Sequence, residues 1–398
     1  MAIFICPYCG NDDERYIGIK NGEYYCRRCL SMKSDEVIDY VPFPPQYAKI
    51  NINYPLTIEQ DKIAKKVSQN YVNKKNTLIY AVCGAGKTEL VFDVIKTALS
   101  RGQQIGFTIP RREVVIEIYH RLVGAFPHVT ITLVHGGNTT NLRGQIIVLT
   151  THQLYRYKHF FDLLIFDEID AFPYAGDFVL EKMFMQSVRG HYVILSATPS
   201  QALMKAFRVN GEILTLFTRF HHHQMPVPTT LIRFFLIEYL TLYLTLKKLL
   251  SRGKSVLVFA PTISEAETLY FFLRLLLKGG ELVHSKREKV GEIITRFKRG
   301  EHRYLVTTTV LERGITIKGL QVIIFHADHT LFDQATLVQI SGRVGRKKDE
   351  PDGHVIFIAQ NESEAMKGAI NDIKDKNTYL QTVYEQAADT DTIDTMDS

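Results

Sequence analysis

Short apolar runs and longer amphipathic stretches alternate in two blocks of the chain, from about 55 to 205 and from about 230 to 375. Apolar runs without polar alternation, separated by helical patterns, are typical of parallel strands buried on both faces. In the first block the pattern predicts strands at 77–82, 104–109, 145–150, 163–166 and 192–195. In the second it predicts strands at 255–260, 304–307, 321–325 and 354–358. The fold class is therefore α/β, with two similar parallel sheets.

The segments outside these blocks have different compositions. The first 40 residues are too few to bury a useful core. Pro42, Pro44 and Pro45 indicate a semi-rigid, extended linker, and Ala387–Ser398 is acidic without basic residues, which predicts a disordered tail. The predicted segments are an N-terminal module at 1–40, a Pro-rich linker at 41–54, a first domain at 55–210, a connection at 211–229, a second domain at 230–375 and an acidic tail at 376–398.

Bulk composition excludes several classes of protein. The chain is 45% hydrophobic and 23% charged, as in an ordinary globular protein. Its net charge of +6 mildly favours an anionic partner. No apolar run reaches the roughly 18 residues of a membrane span, and the N-terminus lacks the pattern of a signal peptide. We therefore expect a cytoplasmic protein without a direct membrane span.

Four of the five cysteines lie within the first 30 residues. Two C-x₂-C pairs separated by sixteen residues fall within the zinc-site pattern, so metal binding should supply the folding energy of this module. The module has more acidic than basic side chains, yet Tyr16, Tyr24 and Tyr25 are able to stack on bases. DNA contact and docking of a protein partner both remain open. The predicted zinc ligands are Cys6, Cys9, Cys26 and Cys29.

Residues 81–88, here called the phosphate loop, read Ala-Val-Cys-Gly-Ala-Gly-Lys-Thr. They follow a predicted strand and precede a helical pattern, which is the setting of a nucleoside-triphosphate loop. The backbone N–H groups of Gly84, Ala85 and Gly86 would surround the phosphates of ATP. Lys87 would reach the β- and γ-phosphates, and Thr88 would bind Mg²⁺.

An acidic cluster, Asp167-Glu168-Ile169-Asp170, ends the strand predicted at 163–166. This places carboxylates at the carboxyl edge of the sheet, where doubly wound folds bind ligands. Asp167 would hold Mg²⁺ through water, and Glu168 would polarise the attacking water. The triplet at 196–198, Ser-Ala-Thr, also follows a strand and would link the nucleotide site to domain movement.

Arg343 and Arg346 each follow a glycine in the second block. Arginine suits the spread negative charge of a transferring γ-phosphate. If the segment is helical, both arginines and Gln339 share one face. The phosphate loop and these arginines together predict a nucleotide held between two domains. The three histidines at 221–223 are interpreted as part of a connecting loop.

The ordered motifs resemble those of superfamily 2 helicases, with two tandem RecA-like domains. The resemblance covers about residues 55–350 and implies an ATPase that depends on DNA. The cysteine module directly before this core, together with residues 167–174, looks like the ComFA family of competence helicases of Gram-positive bacteria. The chain is also similar to the PriA helicases, whose cysteines instead interrupt the core.

The resemblance implies further site residues. Residues 56–60 resemble the glutamine motif, which implies that Gln60 reads adenine. Residues 110–113 resemble a motif that contacts nucleic acid. In this architecture single-stranded DNA crosses both domains without sequence readout. The implied nucleic-acid contacts are Arg111, Arg112, Thr151, His152, Thr262, Thr308 and Arg313.

The ComFA resemblance implies a translocase that drives DNA uptake in natural transformation. Its partners would be single-stranded DNA and other competence proteins, including a membrane DNA channel. A cytoplasmic protein that meets such a channel would lie at the inner face of the membrane. Its cofactors would be ATP, Mg²⁺ and Zn²⁺. Three alternatives stay open: a PriA-like replication-restart helicase, an RNA helicase, and a zinc-dependent adaptor whose binding is switched by ATP.

Overall fold

A computed structural model of the chain describes residues 4–7, 9–30, 37–169, 177–221, 223–312, 317–347 and 349–394, with the backbone alone at 235, 236 and 381–394. The chain divides into two compact units. The first unit comprises Met1–Ala81 and Gly86–Leu216, and the second comprises Val82–Ala85 and Phe217–Ser398. The tip of the phosphate loop is thus grouped with the second unit. Among the described residues, no helix combines the length and apolar character needed to cross a bilayer.

The cysteine module contains a small antiparallel hairpin. Its strands are β1 (Ile17–Lys20) and β2 (Glu23–Cys26), with Ile17 opposite Cys26 and Lys20 opposite Glu23. Asn21 and Gly22 join them with positive φ angles of 53° and 84°. An Asn-Gly pair in this conformation forms the tight turn that matches the twist of the two strands. The hairpin brings Cys26 back beside the start of β1.

Within the described residues, the first unit is built on a seven-stranded sheet in which all neighbouring strands pair in parallel. Its strands are β3 (Asn76–Ala81), β4 (Ile105–Ile109), β5 (Ile131–Val134), β6 (Ile146–Thr150), β7 (Phe161–Asp167), β8 (Val188–Ser196) and β9 (Gly211–Leu216). Its helices are α1 (Ile58–Val72), α2 (Phe92–Leu99), α3 (Arg112–Ala125), α4 (Phe178–Ser187) and α5 (Gln201–Asn210).

The strand order in this sheet is β5-β6-β4-β7-β8-β3-β9. Every residue of β4, β6 and β7 is buried, as expected for parallel strands covered on both faces. The edge strands β5 and β9 are only partly buried. The range 211–229, predicted as a connection, is corrected here, because its first six residues form β9 and pair with β3.

The cysteine module packs against the first unit rather than standing apart from it. Its four cysteines belong to the same buried apolar cluster as Tyr157, Phe160 and Met183. Arg28 lies over the ring of Phe178, with 4.9 Å between the guanidinium carbon and the ring centroid. The module is therefore anchored beside α4, the first described helix after the acidic cluster.

The second unit, as far as the structure describes it, has a six-stranded parallel sheet in the order β10-β15-β14-β11-β13-β12. Its strands are β10 (Thr229–Ile232), β11 (Val256–Phe259), β12 (Gly280–Val283), β13 (Tyr304–Thr307), β14 (Gln321–Phe325) and β15 (Val355–Ala359). Its helices are α6 (Phe235–Ser251), α7 (Ile263–Leu276), α8 (Val290–Lys298), α9 (Gln334–Ser341) and α10 (Glu364–Asp394). Residues 376–394, which are the part of the predicted acidic tail that the structure describes, belong to helix α10.

Candidate active site and zinc centre

The phosphate loop begins where β3 ends, and its shape depends on two glycines. Gly84 and Gly86 have φ angles of +86° and +77°, which side chains rarely adopt. A Cβ on Gly86 would also lie 2.6 Å from Nε2 of Gln60, so a larger residue there would force the Gln60 side chain to shift. The following helix does not begin at the loop. A 3₁₀ turn at Glu89–Val91 comes first, and α2 begins at Phe92.

Lys87 and Thr88 are both held by groups of the first unit. Lys87 Nζ donates to the carbonyl oxygen of Ala81 at 3.3 Å, and Thr88 is buried. Thr88 Oγ1 accepts a hydrogen bond of 3.1 Å from Nη1 of Arg121. Arg121 also pairs with the buried carboxylate of Glu89. A magnesium ion bound by the Thr88 hydroxyl would have to share this oxygen with a guanidinium.

Arg121 was not found from the sequence. It lies on α3, and an arginine on an amphipathic helix is ordinary, so no sequence signal separated it from a solvated side chain. Its neighbour Tyr54 donates to Glu89 Oε1 at 2.7 Å. Arg121, Glu89 and Tyr54 thus form a polar cluster that fixes the segment directly after Lys87 and Thr88.

Gln60 occupies the third position of α1 and completes a capping box with Thr57. Gln60 N donates to Thr57 Oγ1 at 3.2 Å, and Thr57 N donates to Gln60 Oε1 at 2.9 Å. The Gln60 side chain is buried, and its amide nitrogen faces Gly86. The glutamine that the sequence singled out therefore lies against the phosphate loop.

Three adjacent strands bring the predicted catalytic groups to one edge of the first sheet. In the order β7-β8-β3, the strands end at Asp167, Ser196 and Ala81. The register places Asp167 opposite Leu195 and Tyr80 opposite Ser196, so the three ends are level. This is the carboxyl edge of a parallel sheet, where such folds bind their ligands.

The acidic cluster turns sharply at Glu168. Asp167 is buried at the end of β7, and Glu168 N donates to the carbonyl oxygen of Leu195 at 3.1 Å. Glu168 has a φ of 62°, in the left-handed region that non-glycine residues rarely occupy. Strain of this kind is concentrated at functional sites. Asp170 lies outside the described residues.

The hydroxyl group of Ser196 accepts a hydrogen bond from the backbone of its own turn. Thr198 N donates to Ser196 Oγ at 3.1 Å, and Ser196 is buried. Ser200 then caps α5 by accepting from Leu203 N at 3.2 Å. The triplet at 196–198 is therefore fixed between the central strand β8 and the start of α5.

Four cysteine sulfurs come together in the N-terminal module. Sγ of Cys6 lies 3.6 Å from Sγ of Cys29, and Sγ of Cys9 lies 3.8 Å from that of Cys26. All four sulfurs lie within 4.8 Å of one another and all four residues are buried. A tetrahedral zinc site with Zn–S bonds of about 2.3 Å requires sulfurs about 3.8 Å apart. The geometry therefore fits zinc.

Burial of the site opposes ionisation of its thiols. Burial raises the pKa of the Cys9 thiol to about 12 and raises that of Cys29 as well. At Cys26 burial acts in the same direction, but backbone N–H groups of Cys29 and Arg28 outweigh it and lower the pKa. Four buried thiols become ligands only when a cation displaces their protons. Zn²⁺ would supply that charge and hold the module together.

In the second unit, Arg343 and Arg346 lie on a turn, residues 342–346, here called the arginine turn. Helix α9 is capped by Asp333 and ends at Ser341, so the segment is not helical at the two arginines and the condition for a shared helical face is not met. Gly342 and Gly345 break the helical pattern, and Gly345 has a φ of +69°. The two arginines are placed by this turn.

Backbone carbonyls hold both arginine side chains. Arg343 is buried and its Nε donates to the carbonyl oxygen of Glu312 at 2.7 Å. Arg346 Nε donates to the carbonyl oxygen of Gly342 at 3.0 Å. Gln339 is buried on α9 and its Oε1 accepts from Sγ of Cys83 at 3.2 Å, within the same unit. The Cys83 thiol is thus engaged by a side chain of α9.

Most of the positions implied to contact nucleic acid follow the carboxyl ends of strands. Arg111 precedes α3 after β4, and Arg112 is exposed at the first position of that helix. Thr262 caps α7 after β11, and Thr308 follows β13. Arg313 lies outside the described residues.

Thr151 and His152 begin the 3₁₀ turn that follows β6. Thr151 is fully buried, and its hydroxyl oxygen lies 3.4 Å from that of Thr108. Burial lowers the pKa of His152, against the weaker opposing effect of Asp177. His152 is therefore a neutral donor or acceptor near pH 7, and Thr151 serves to shape this turn.

Comparison with known proteins agrees with this geometry. Residues 60–206 match the family described as DEAD/DEAH box helicase, and residues 241–348 match the helicase conserved C-terminal domain. The structure of S. cerevisiae Dbp5 bound to RNA and ADP BeF3 has a similar fold, with a TM-score of 0.61 and 18% identity, over 81% of this chain and 91% of that one. Two RecA-like sheets with these motifs define a superfamily 2 helicase, an ATP-hydrolysing motor protein.

The particular family follows from closer relatives. Competence protein ComFA of Streptococcus pneumoniae is 35% identical, over 94% of this chain and 90% of its own length. Competence protein ComFA of Bacillus subtilis is 32% identical, over 95% of this chain and 86% of its own. The chain belongs to the ComFA family. The family resemblance predicted from the motifs is thus confirmed.

Proposed function

We propose that this protein is an ATP-driven translocase that moves along single-stranded DNA during DNA uptake in natural transformation. Membership of the ComFA family supports the role in competence. The helicase domains support a motor that hydrolyses ATP and binds nucleic acid. The preference for single-stranded DNA over duplex DNA or RNA is tested by the ATPase rate with matched nucleic acids.

The level ends of β7, β8 and β3 are the observation that carries the proposal. They place an acidic cluster, a hydroxyl triplet and a phosphate loop along one edge of one sheet. A nucleotide-binding protein without turnover needs only the loop. A hydrolase also needs a positioned base, and Glu168 follows the strand end in a strained conformation that points to function.

Each residue of this edge has a proposed task. Lys87 binds the β- and γ-phosphates, and Glu168 accepts a proton from the attacking water. Thr88 and Asp167 offer the oxygen ligands that Mg²⁺ prefers, and the bound ion neutralises charge on the phosphates. The Thr88 oxygen would then be shared between Mg²⁺ and the guanidinium of Arg121. Gln60, held by its capping box, would read the adenine ring.

The arginine turn has the complementary task in hydrolysis. Arg343 and Arg346 present guanidinium groups whose charge is permanent and whose donors match phosphate oxygens. Each is fixed through Nε to a backbone carbonyl, so its terminal nitrogens are aimed by the turn. We assign to them the stabilisation of charge on the γ-phosphate in the transition state. Gln339 supports the same segment from α9.

Nucleic acid would bind through groups that recognise phosphate and not sequence. Hydroxyl groups and arginines at the strand ends are suited to this, and a translocase should not read sequence. The basic net charge of +6 favours such a partner. The proposed contacts are Arg111, Arg112, His152, Thr262, Thr308 and Arg313, whereas Thr151, which is fully buried, would act by shaping the turn that carries His152.

The zinc module would serve a partner at the membrane. Its more acidic composition does not suit a strong phosphate clamp, whereas exposed Ile19 and Tyr24 offer an apolar contact surface. We therefore favour other competence proteins, including a membrane DNA channel, as partners of this module. The protein would then act from the cytoplasmic side, at the inner face of the membrane.

The direct test is the ATPase rate against matched nucleic acids. We expect single-stranded DNA to stimulate hydrolysis more than duplex DNA or RNA of equal length. Lys87→Ala should abolish the stimulated rate because the phosphates lose their principal cation. Lys96→Ala, which removes an exposed lysine of α2, is the matched control and should retain full activity.

The alternatives are separated by the same panel. Stronger stimulation by RNA would identify an RNA helicase, and a preference for forked duplexes would indicate a replication-restart activity. Slow turnover that no nucleic acid changes would indicate an ATP-switched adaptor. Full turnover by Lys87→Ala would refute the assignment of the phosphate loop.

A further inference from the structure

One arginine in the segment between β9 and β10 is buried as deeply as any apolar core residue. Arg219 is 1% exposed, and it is among the largest fully buried side chains of the described chain. A buried charge is costly unless its donors are satisfied. The sequence predicted a connecting loop here, and a loop arginine is normally solvated. The burial of Arg219 therefore requires an explanation.

The contacts of Arg219 converge on the arginine turn. Its Nη1 donates to the carbonyl oxygens of Val344 at 3.0 Å and Gly345 at 2.9 Å. Its Nη2 donates to the carbonyl oxygen of Gly342 at 3.4 Å. Nε2 of His221 lies 2.9 Å from the same Gly345 oxygen. One guanidinium thus binds three carbonyls of a single five-residue turn.

Among the described residues, no carboxylate forms an ion pair with Arg219, and its buried Nε makes no hydrogen bond there. Burial, reinforced by the nearby charge of Arg346, lowers the pKa of Arg219 to about 10. The group still carries its charge near pH 7. Within the described part of the chain, the dipoles of these three carbonyl groups therefore stabilise the buried charge.

The carbonyl group of Gly342 links Arg219 to Arg346. The oxygen of Gly342 accepts from Arg219 Nη2 and from Arg346 Nε. The amide groups of the turn also bond inward, from Gly342 N to Val338 O at 2.9 Å and from Arg343 N to Ile340 O at 3.1 Å. Displacement of the turn at its carbonyls would therefore move the backbone that carries both proposed phosphate-binding arginines.

We propose that Arg219 is a positioning residue for ATP hydrolysis, which holds the arginine turn so that Arg343 and Arg346 are aimed at the nucleotide. This inference rests on the proposed role of those two arginines. Arg219 acts through the turn, so its loss should slow hydrolysis while ATP binding is retained. Lysine is a poor replacement because it lacks the planar fork that donates to several carbonyls at once.

The kinetic test compares Arg219→Met, Arg219→Lys and the control Arg252→Met, which removes an exposed arginine of the same unit. We expect kcat to fall about 10²-fold in Arg219→Met, less than the loss of an arginine finger itself, with KM for ATP within about 2-fold. In Arg219→Lys kcat should fall about 10-fold, and in Arg252→Met kcat should equal that of the wild type. A raised KM with unchanged kcat would instead identify a phosphate ligand and overturn the positioning role.

A double-mutant cycle distinguishes positioning from general destabilisation. In a background that carries both Arg343→Ala and Arg346→Ala, Arg219→Met should cost less than about 3-fold in the remaining kcat, because both groups that it positions are already absent. A further loss of about 10²-fold would show independent effects and overturn the proposal. If Arg219→Met does not fold, Arg219→Lys replaces it in the same cycle.

Hydrogen exchange provides a readout that does not depend on activity. In the free protein, Arg219→Met should raise amide exchange at 342–346, and Arg252→Met should not. Unchanged protection of the turn would overturn the inference, whatever the ATPase result. A wild-type protein without ATPase activity would refute the proposed function, and with it the catalytic role of Arg219. The two failures are therefore distinguishable.

Discussion

The phosphate loop and the arginine turn are shaped by supports at very different distances along the chain. The loop depends on its own glycines at 84 and 86 and on the strand end directly before it. The arginine turn also contains glycines, but its carbonyls are bound by Arg219, which lies 125 residues before Val344. The backbone shape of the loop is set mainly within its own motif, although Phe220 N also donates to the Gly84 carbonyl oxygen at 3.4 Å, whereas the turn depends on a distant side chain.

This difference has a consequence for function. A locally supported loop fails mainly when its own residues change, because its backbone conformation is set within a few positions. A remotely supported turn is also sensitive to a residue that binds no ligand. The geometry of the turn therefore depends on how the segment that carries Arg219 is packed.

The zinc centre is the locally encoded site whose loss should have the largest effect. Zinc binding contributes about 10–16 kcal/mol to the folding of small zinc peptides. Cys9→Ser should therefore abolish zinc binding and unfold the hairpin β1–β2. We expect elemental analysis to find about one zinc per chain in wild type and hydrogen exchange to show loss of protection at 17–26 in the variant.

Cys83→Ser is the matched control for this experiment, since Cys83 lies outside the four-cysteine cluster. It should retain the metal in full. Because the cysteines share a core with Tyr157 and Phe160, loss of zinc should also lower the thermal stability of the first unit. An unchanged exchange pattern in Cys9→Ser would show that the module is held by packing alone.

The strands predicted from the sequence are those in the interior of the two sheets. The strands that the pattern missed are β5, β9, β10 and β12, and each lies at the edge of its sheet. An interior parallel strand is buried on both faces and gives a continuous apolar run. An edge strand such as β10, with no buried residue, carries no such signal. The cause of these omissions is therefore burial, not length.

The same distinction applies to the candidate site. Lys87, Thr88 and Asp167 were predicted because strand ends and glycines fix their surroundings within the same motif. Arg121 and Arg219 were not, because their importance arises from partners far away in sequence. The turn at 342–346 was not predicted either, because nothing in the pattern shows that α9 ends at Ser341, before both arginines. Long-range packing determines the roles of Arg121 and Arg219, whereas the end of the helix is a local feature.

Arg343→Ala tests the turn directly and should have the next largest effect. Loss of an arginine finger slows phosphoryl transfer by about 10³-fold at the lower end of its range, which corresponds to about 4 kcal/mol. We expect this loss in kcat with ATP binding spared, measured by titration with a fluorescent ATP analogue. Arg343→Lys should recover only part of the rate, since Arg343 donates through Nε to the carbonyl of Glu312. Equal losses in binding and rate would contradict the assignment.

Gly86→Ala tests the local support of the phosphate loop. A Cβ there meets the Gln60 amide at 2.6 Å and must also adopt a φ of +77°. The left-handed conformation alone costs about 1–2 kcal/mol, and the contact adds to it. We expect a loss of roughly 2–3 kcal/mol in the free energy of unfolding, measured with urea, together with weaker ATP binding.

Two further variants separate the terms of this prediction. Gly137→Ala places a Cβ at a φ of +87° with nothing within 4 Å, so it reports the backbone cost alone in the same unit. Gln60→Ala in the Gly86→Ala background should remove the contact and restore part of the stability. If Gly86→Ala loses no more free energy of unfolding than Gly137→Ala, the packing of Gln60 does not constrain the phosphate loop.

Thr57→Ala should have the smallest effect. It removes the hydroxyl that accepts from Gln60 N at 3.2 Å, one half of the capping box. Loss of such a cap costs about 1 kcal/mol, and Thr57→Ser, which keeps the hydroxyl, should stay close to wild type in urea unfolding. The backbone N–H of residue 57 still donates to Gln60 Oε1, so the orientation of Gln60 against Gly86 should be preserved and ATP affinity should change by less than about 2-fold. A large loss of ATP binding in Thr57→Ala alone would show that one distant contact governs the loop as Arg219 governs the turn, and the contrast between local and remote support would not hold.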